Sequence, residues 1–252
     1  MQLHKSTWQE VEKYLQSSSG IIVPIGSTEQ HGPTGLIGTD AITAEVVAIR
    51  IGEETGAMVG PTISIGMAEH HMSFPGSMTM RPSTLTSVIC DYVHSLVRHG
   101  FDRFMFVNGH GGNIPTVNSA FYEAYATAPA RAGNMAGANQ TEFRCKLVNW
   151  FNNRQVTAVC NELYGDRDGD HAAASEISVT QYVHPDAIKR AELDPPIAPR
   201  GRFYGPEDYR RKFPDGRIGS DPSLARPEHG ERLVAVAAEA ISDTYRSFIA
   251  ED

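Results

Sequence analysis

Apolar residues along this chain occur in two alternating patterns. Short runs rich in β-branched or aromatic side chains cover residues 21–25, 104–107 and 143–148, and runs of this length predict buried strands. Longer segments with helical apolar spacing predict helices over residues 6–15, 41–49, 82–99, 114–127 and 231–249. Because strands that alternate with helices are typical of parallel sheets, the pattern predicts an α/β fold.

Two side chains able to bind a metal follow the first predicted strand. Glu29 and His31 are two residues apart, and alternate side chains of an extended segment point the same way. We therefore expect both to face one cavity and Gln30 to face away from it. Asp40 stands at the start of the next predicted helix, where capping that helix is the alternative role. Its closeness to Glu29 and His31 in the chain favours a metal ligand.

A glycine-rich motif follows the second predicted strand. His110 lies within Asn-Gly-His-Gly-Gly-Asn at residues 108–113, where open parallel sheets place their binding crevices. Glycines on both sides let a ligand approach closely. A hydrogen-bonded structural histidine is the alternative, but imidazole is the commonest protein ligand for zinc-like ions, which favours a metal site.

A third segment, residues 168–178, predicts a loop that runs into a helix. His171 falls near the start of this helix and Glu176 inside it, a separation that is not ideal for one helix face. A surface histidine and an ordinary exposed helix carboxylate are the alternatives for these two residues. The other carboxylate and imidazole groups in the chain favour a functional role for both residues.

The loop over residues 69–77 holds two adjacent histidines, His70 and His71. Neighbouring side chains of an extended backbone diverge, so we expect at most one of the two to face a cavity. The loop is predicted to line a pocket or to orient metal ligands. A surface loop with solvated histidines is an equal alternative.

Composition agrees with one compact enzyme domain. The chain has 252 residues and a net charge of −8, which argues against nucleic acid as its main partner. It shows no signal-peptide core and no apolar window of transmembrane length, so we expect a soluble cytoplasmic protein without a membrane partner. Three scattered cysteines, Cys90, Cys145 and Cys160, indicate reduced thiols. Residues 130–139 and 194–215 predict flexible loops.

The ordered set of motifs resembles the creatininase family of binuclear metal hydrolases. The matching residues are Glu29-Gln30-His31-Gly32, Asp40, Phe74-Pro75-Gly76, Asn108-Gly109-His110, His171 with Glu176, Gly219-Ser220-Asp221-Pro222 and Glu228-His229-Gly230-Glu231. The resemblance implies a single domain over residues 1–252, a three-layer αβα sandwich with a mostly parallel sheet, assembled as a homohexamer. It also implies two divalent ions, zinc and/or manganese, with Glu29, His31, Asp40 and His110 as ligands and Asp40 as the bridge.

The chain departs from creatininase itself at two positions. Creatininase has a glutamate two residues after the histidine of Asn-Gly-His, where this chain has Gly112. The resemblance to family members with Asn-Gly-His-Gly-Gly-Asn implies that Glu176 is the fifth ligand instead, and we expect it to take part in catalysis. Gly111 replaces a tyrosine near the substrate. The resemblance makes His171 the proton carrier and, with the loop at residues 69–77, implies a substrate pocket containing His71, Ser77, Gly111, Trp150 and Asp168.

The chemistry of such a site can be stated from its ligands. Two cations that share a water lower its pKa towards roughly 7, so that hydroxide is available to attack an amide carbonyl. Together with this chemistry, the resemblance implies a metal-dependent amidohydrolase of a cyclic amide, creatinine or a similar small molecule, with a metal-bridging hydroxide. A deformylase or peptidase acting on an acyclic amide is the first alternative. A non-catalytic protein whose assembly is stabilised by the same metals is the second.

Overall fold

The computed structural model describes residues 1–128 and 142–251, and its described part contains one four-stranded sheet. The strands are β1 (Gly20–Ile25), β2 (Met58–Val59), β3 (Arg103–Asn108) and β4 (Arg144–Asn149). All neighbours are parallel, in the order β2-β1-β3-β4. The three predicted strands are confirmed, whereas the two-residue β2 is too short to produce a pattern. The predicted loop at residues 130–139 lies outside the described residues.

Eight α-helices occur within the described residues. They are α1 (Trp8–Tyr14), α2 (Thr39–Thr55), α3 (Pro82–Val97), α4 (Ile114–Ala126), α5 (Arg154–Tyr164), α6 (Ala174–Val183), α7 (Pro206–Lys212) and α8 (Pro227–Ile249). Every predicted helix is present, and α2 and α8 extend beyond their predicted bounds. None of the described helices is long and apolar enough to cross a membrane.

Helix α7 corrects the expectation that residues 194–215 form a flexible loop. The helix begins at Pro206, has Glu207 and Asp208 in its first turn and ends on a basic turn, which is the charge order that favours a helix dipole. The segment is also tied down by the fully buried Arg217. Its guanidinium donates to the backbone oxygens of Pro195 and Pro196 at 2.7 and 2.9 Å.

The sheet has a buried layer on each face, because alternate side chains of its strands point to opposite sides. Ile22, Met105 and Val107 pack into one apolar core with α2, α5, α6 and α8. Ile21 and Phe104 pack into the other with α1, α3 and α4. The predicted three-layer αβα sandwich is therefore confirmed.

The register of the strands places their carboxyl ends at one level. Ile25 of β1 lies opposite Asn108 of β3, and Asn108 lies opposite Asn149 of β4. The loops that follow these strands consequently leave the sheet side by side. This is the edge at which open parallel sheets bind ligands.

Candidate metal centre

Four buried polar side chains meet at the carboxyl edge of the sheet. Glu29 and His31 follow β1, Asp40 lies in the first turn of α2 and His110 follows β3. Their exposed fractions are 0%, 1%, 2% and 6%. Burial of charged groups is costly unless they are paired or hold a metal. Opposite charges, within the cluster or on a bound metal, must therefore stabilise these side chains.

Two glycines bring Asp40 into the cluster by letting α2 approach the ends of β1 and β3. A Cβ on Gly26 would lie 2.4 Å from the Asp40 carbonyl carbon, and one on Gly109 would lie 2.1 Å from the Asp40 carbonyl oxygen. Both distances are far below van der Waals contact. The expected ligand role and the expected position at the start of the helix are thus compatible, because the first turn of α2 itself enters the site.

The His110 loop is shaped by the asparagine that precedes it. The Asn108 side chain accepts a hydrogen bond from the His110 backbone N–H at 3.1 Å and donates one to the His110 carbonyl oxygen at 2.7 Å. Asn113 donates to the Gly26 carbonyl oxygen at 2.9 Å. The asparagines therefore hold the loop against the end of β1 and leave the imidazole to face Asp40.

The Asp40 carboxylate lies between two imidazoles. Its Oδ1 is 3.1 Å from His31 Nε2, and its Oδ2 is 3.0 Å from His110 Nδ1. One carboxylate oxygen thus faces each histidine. This is the arrangement that a carboxylate bridging two cations requires.

Three overlapping groups of side chains each offer ligand atoms that lie within 4.8 Å of one another. They are Glu29 with Asp40 and His110, His31 with Asp40 and Glu176, and Glu29 with His31 and His171. With zinc bonds of about 2.0–2.1 Å, two ligand atoms on a tetrahedral ion lie roughly 3.3 Å apart. The distances from His110 Nδ1 to Asp40 Oδ2, 3.0 Å, and from His31 Nε2 to Glu176 Oε2, 3.7 Å, are compatible with this spacing.

Two buried carboxylate oxygens in the cluster lack a hydrogen bond of acceptable geometry. These are Glu29 Oε1 and Asp40 Oδ2, although His71 Nε2 and His110 Nδ1 approach them to 3.0 Å each. A buried carboxylate oxygen without a donor costs several kcal/mol unless a cation faces it. The approach of His110 Nδ1 to Asp40 Oδ2 without a hydrogen bond is what two ligands of one ion would show. The residues therefore fit a pair of divalent cations.

The electrostatics of the cluster favour added positive charge. Burial opposes charge on His31, but Asp40 and Glu176 outweigh it and hold the pKa of His31 well above its usual value. Burial likewise opposes charge on His110, and Glu29 and Asp40 raise its pKa to about 9. Burial would raise the pKa of Asp40, yet His31 and His110 lower it well below its usual range. The carboxylates thus attract cations strongly.

Gln30 does not face away from the site as the extended pattern predicts. It is buried, and its Nε2 lies 2.9 Å from both His71 Nδ1 and His171 Nε2. The expectation fails because the strand ends at Ile25, and only an isolated bridge at Thr28 follows before residue 31. Without continuous strand geometry, successive side chains need not alternate.

Both adjacent histidines, His70 and His71, line the cavity beside the cluster, so the expectation that only one does is wrong. Residues Glu69–His71 form a single 3₁₀ turn, in which successive side chains are rotated by roughly 120° rather than 180°. Their ring centroids are 4.1 Å apart. Burial, followed by the neighbouring His70 and His31, lowers the pKa of His71 to about 2.

His171 lies between the cluster and the cavity. Its ring stacks on His71 and lies tilted against His31, at centroid distances of 4.4 and 4.6 Å, and its Nδ1 is 3.9 Å from Glu29 Oε1. Burial, with His31 and His71 adding to it, holds the pKa of His171 well below its usual value. A neutral imidazole at this position can accept a proton.

The cavity beside the cluster has a volume of about 480 Å³. Of the expected pocket residues, His71, Gly111, Trp150 and Asp168 line it, whereas Ser77 does not. The Ser77 hydroxyl instead accepts a hydrogen bond from the Gln30 backbone N–H at 3.1 Å, because the loop turns this side chain towards the chain after β1. Ser77 is therefore a support for that chain segment.

Several aromatic side chains of the cavity were not predicted from the sequence. Phe151 follows β4, while Phe203 and Tyr209 come from the segment that was expected to be a flexible loop. Tyr209 is fully buried and its hydroxyl donates to the Gly216 carbonyl oxygen at 2.8 Å. The helix signals of α7 were the only feature of the sequence that could have drawn attention to it.

Comparisons with known proteins agree with this fold and site. A sequence model of the creatininase family, described as creatinine amidohydrolase, matches residues 4–245. The chain belongs to the creatininase family. The creatinine amidohydrolase of Pseudomonas putida is 27% identical over 252 residues, covering 95% of this chain and 94% of that protein.

Two further comparisons describe the range of this creatininase-family protein's relatives. The mycofactocin precursor peptide peptidase of Mycolicibacterium smegmatis (strain ATCC 700084 / mc(2)155) is 30% identical over 236 residues, covering 88% of this chain and 83% of the peptidase. A solved structure named Creatininase Mn superimposes with a TM-score of 0.80 at 25% identity and covers 99% of each chain. The family therefore establishes an amidohydrolase that acts on C–N bonds, and the relatives differ in the amide they cleave.

The structure explains how this creatininase-family chain arranges a carboxylate near His31 without a side chain at residue 112. A Cβ on Gly112 would lie 2.4 Å from His110 Nε2 and 2.7 Å from the Met67 carbonyl oxygen, so the position has no room for one. Glu176 approaches instead from α6. Its Oε1 accepts from the Ala173 backbone N–H at 2.6 Å, which leaves Oε2 to face His31.

Proposed function

We propose that this creatininase-family amidohydrolase holds two divalent metal ions at the cluster and uses them to hydrolyse a small amide. The observation that carries the proposal is the position of Asp40, whose two carboxylate oxygens face His31 and His110 separately. Structural zinc sites are closed by four protein ligands and are often rich in cysteine. A mixed carboxylate and imidazole set beside an open cavity favours catalysis over a metal that only stabilises an assembly.

The ligands divide into two sets that share Asp40. Glu29 and His110 would hold one ion, and His31 and Glu176 would hold the other. Nitrogen and oxygen donors of this kind suit zinc and manganese, and the name of one solved relative includes manganese. When bound, the ions would lower the pKa of a water towards roughly 7 and polarise the amide carbonyl.

His171 is proposed as the residue that moves the proton. Its Nε2 lies 2.8 Å from the Gln30 carbonyl oxygen, which can only accept, so the ring donates there and keeps a lone pair at Nδ1. That nitrogen faces Glu29 and the cavity. It can take a proton from the attacking water and return it to the leaving amine, the role expected of a general base and acid.

A cyclic amide such as creatinine is the first candidate substrate. The family description and the Pseudomonas putida relative, which matches over nearly its whole length, both support it. Trp150 and Phe151 supply an apolar wall for a small ring. Such a wall also limits the access of bulk water to the reacting carbonyl.

An acyclic amide or peptide is the second candidate, because the cavity exceeds the needs of one small ring. Its volume of about 480 Å³ falls in the range of roughly 300–1,000 Å³ that is typical of drug-sized ligands. A Cβ on Gly111 would meet no atom within 4 Å, so the rim is open at that point. The Mycolicibacterium smegmatis peptidase, 30% identical, supports this candidate.

The homohexamer implied by the resemblance remains a prediction. Trp8 is 71% exposed and lines an apolar groove with Leu3, Val11 and Phe101, a surface that supports association between chains. Sedimentation velocity at several protein concentrations would test it. A species of six times the chain mass of 27.5 kDa is expected.

Metal content is the first test of the proposed function. The protein purified without chelator is expected to contain two ions per chain by inductively coupled plasma mass spectrometry, and Glu176→Gln is expected to contain one or none. Glu142→Gln, a change at an exposed position before β4, is the matched control and should keep both. No bound metal in the unaltered protein after zinc and manganese are supplied would refute the proposal.

Hydrolysis assays then distinguish the substrates. Creatinine, N-formyl amides and short peptides are assayed with the loaded protein and again after chelation. Turnover of creatinine that disappears with the metal supports the first candidate, and turnover of only the acyclic compounds supports the second. Two firmly bound ions with no hydrolysis of any of them would favour a metal that stabilises an assembly.

A further inference from the structure

We propose that Gln30 is a positioning residue that determines which ring nitrogen of His71 and of His171 carries the hydrogen. Its side chain contacts one imidazole and its backbone carbonyl contacts the other. The effect on turnover rests on the proposed hydrolase function, whereas the hydrogen positions can be measured without any activity.

The orientation of the Gln30 carboxamide follows from two backbone contacts. Its Oε1 accepts from the Gly32 backbone N–H at 2.8 Å, and its Nε2 donates to the Gly216 carbonyl oxygen at 3.0 Å. The opposite orientation would place a donor against the Gly32 N–H and an acceptor against the Gly216 carbonyl. Because both bonds would be lost in a buried site, the contacts exclude it.

The amide is also confined sterically. Gly216 has a backbone φ of +88° and lies against the carboxamide so closely that a Cβ there would be 1.9 Å from Gln30 Oε1. The Gln30 side chain therefore cannot turn towards Gly216. This close approach explains why the group keeps one orientation between the two histidines.

The hydrogens of the amide then assign the tautomer of His71. An amide nitrogen has two hydrogens, and one is donated to the Gly216 carbonyl oxygen. The other is directed at His71 Nδ1, 2.9 Å away, which must be unprotonated to accept it. Neutral His71 consequently carries its hydrogen on Nε2, the nitrogen that lies 3.0 Å from Glu29 Oε1.

The backbone of Gln30 assigns the tautomer of His171 by the same reasoning. A carbonyl oxygen only accepts, so the 2.8 Å contact requires a hydrogen on His171 Nε2. If that nitrogen instead accepted from the Gln30 amide, its lone pair would face those of the carbonyl oxygen across this contact, and the amide would have to withdraw a hydrogen from Gly216 or from His71 Nδ1. The assignment with hydrogen on Nε2 satisfies every acceptor.

The two histidines therefore present opposite groups to the site. His71 presents an N–H beside Glu29 and cannot act as a metal ligand through Nε2 while that hydrogen is present. His171 presents a lone pair at Nδ1. Gln30 thus keeps a hydrogen-bond donor on His71 and a proton acceptor on His171. Residues that hydrogen-bond to metal ligands orient those ligands in the same way.

Neutron diffraction from crystals of the zinc-loaded protein in deuterated buffer tests the assignment directly. Deuterium is expected on Nε2 of both His71 and His171 and absent from both Nδ1 atoms. Deuterium on His71 Nδ1, or a metal ion bound to His71 Nε2, would overturn the proposal. An inactive protein with the expected deuterium positions would refute the proposed function and leave this assignment standing.

Substitution of Gln30 tests the consequence for catalysis. Gln30→Glu replaces the amide donor by an acceptor of the same shape, so the hydrogen of His71 should move to Nδ1. We expect kcat to fall by roughly 10- to 100-fold with a smaller change in KM. Gln30→Met removes the hydrogen bonds without adding charge and should show the same loss of kcat. It is the variant to measure if Gln30→Glu does not fold.

The matched control for these variants is Gln16→Glu, the same chemical change at an exposed position, which should retain full activity. Gln30→Met that folds, keeps two ions and retains the kcat of the unaltered protein would overturn the positioning role. Equal losses of kcat in Gln30→Met and Gln16→Glu would also overturn the positioning role, because a general sensitivity of the protein to substitution would then explain the result.

Discussion

Gly26 and Asp40 are in such close contact that a single methyl group on the glycine would lie 2.4 Å from the Asp40 carbonyl carbon. Gly26 directly follows β1 and Asp40 lies in the first turn of α2, so this contact joins the sheet to the helix that enters the site. The position of the Asp40 carboxylate is thereby set by backbone packing as well as by its imidazole neighbours.

Gly26→Ala should therefore displace the first turn of α2. We expect a loss of about 1–3 kcal/mol in the free energy of unfolding, which is typical of overpacking, together with loss of metal. Denaturant unfolding and metal analysis measure both effects. Gly38→Ala is the control, because its Cβ would make only ordinary contacts with the Ile42 side chain, at 3.6 and 3.9 Å. Normal metal content in Gly26→Ala would contradict the importance of this contact.

Asp40→Ala should remove both ions if the carboxylate is shared. The reason is that each ligand set would lose a member, and a divalent site with fewer protein ligands binds its metal more weakly. Metal content per chain is the measurement, with Asp91→Ala, an exposed carboxylate of α3, as the control. Retention of one firmly bound ion in Asp40→Ala would show that Asp40 belongs to a single site.

His171→Ala should keep both ions and lower kcat. Loss of a general acid and base typically lowers the rate by about 10²- to 10⁴-fold, and substrate affinity should change less. Metal analysis and steady-state kinetics on the same sample test this prediction. Loss of an ion would instead assign His171 as a ligand, in keeping with its grouping beside Glu29 and His31.

Gly216→Ala should alter catalysis through Gln30. The methyl group would collide with the Gln30 carboxamide, and the positive φ adds backbone strain. Gly56→Ala carries the same kind of strain, at a φ of +74°, but its Cβ would meet no atom within 4 Å. Both variants should be destabilised by about 1–2 kcal/mol, whereas only Gly216→Ala should lower kcat. Equal activity of the two folded variants would count against the proposal that Gly216 confines the Gln30 carboxamide.

Gly111→Tyr should narrow the range of substrates. The tyrosine would occupy the open space at the rim of the cavity, so acyclic amides and peptides should lose more kcat/KM than a small cyclic amide. The measurement is the ratio of kcat/KM for an acyclic amide to kcat/KM for a small cyclic amide. Because both values come from one protein sample, a general loss of activity leaves the ratio unchanged. An unchanged ratio would show that substrates do not pass this position.

Local patterns in the sequence were sufficient for most of the fold. The apolar runs at β1, β3 and β4 and the helical spacing of α3, α4 and α8 are properties of consecutive residues, so they can be detected without knowledge of the tertiary structure. The exceptions were β2 and α5, which no pattern predicted, and α7, whose composition resembled a loop although its charges were ordered as in a helix. Its role became clear only from the packing of Tyr209 and the anchoring of the segment by Arg217.

Sequence order also selected the side chains that the fold brings together. Glu29, His31, Asp40 and His110 follow or begin regular elements, and parallel strands place such positions at one edge. Glu176 was selected from the resemblance, since a carboxylate within a run of small residues has no distinguishing local pattern. Gly112 has no space for a side chain, which is the steric argument for proposing Glu176 in its place.

The sequence by itself determined β1, β3 and β4, most of the helices, the family and the residues to consider as ligands. The tertiary structure alone decided that Gln30 faces inwards, that His70 and His71 both line the cavity, and that Ser77 supports the chain behind it. Strand and helix patterns depend on the residues' own backbone geometry, whereas these orientations depend on hydrogen bonds between segments far apart in the chain. Gln30, for example, meets Gly216 and His171 only after folding.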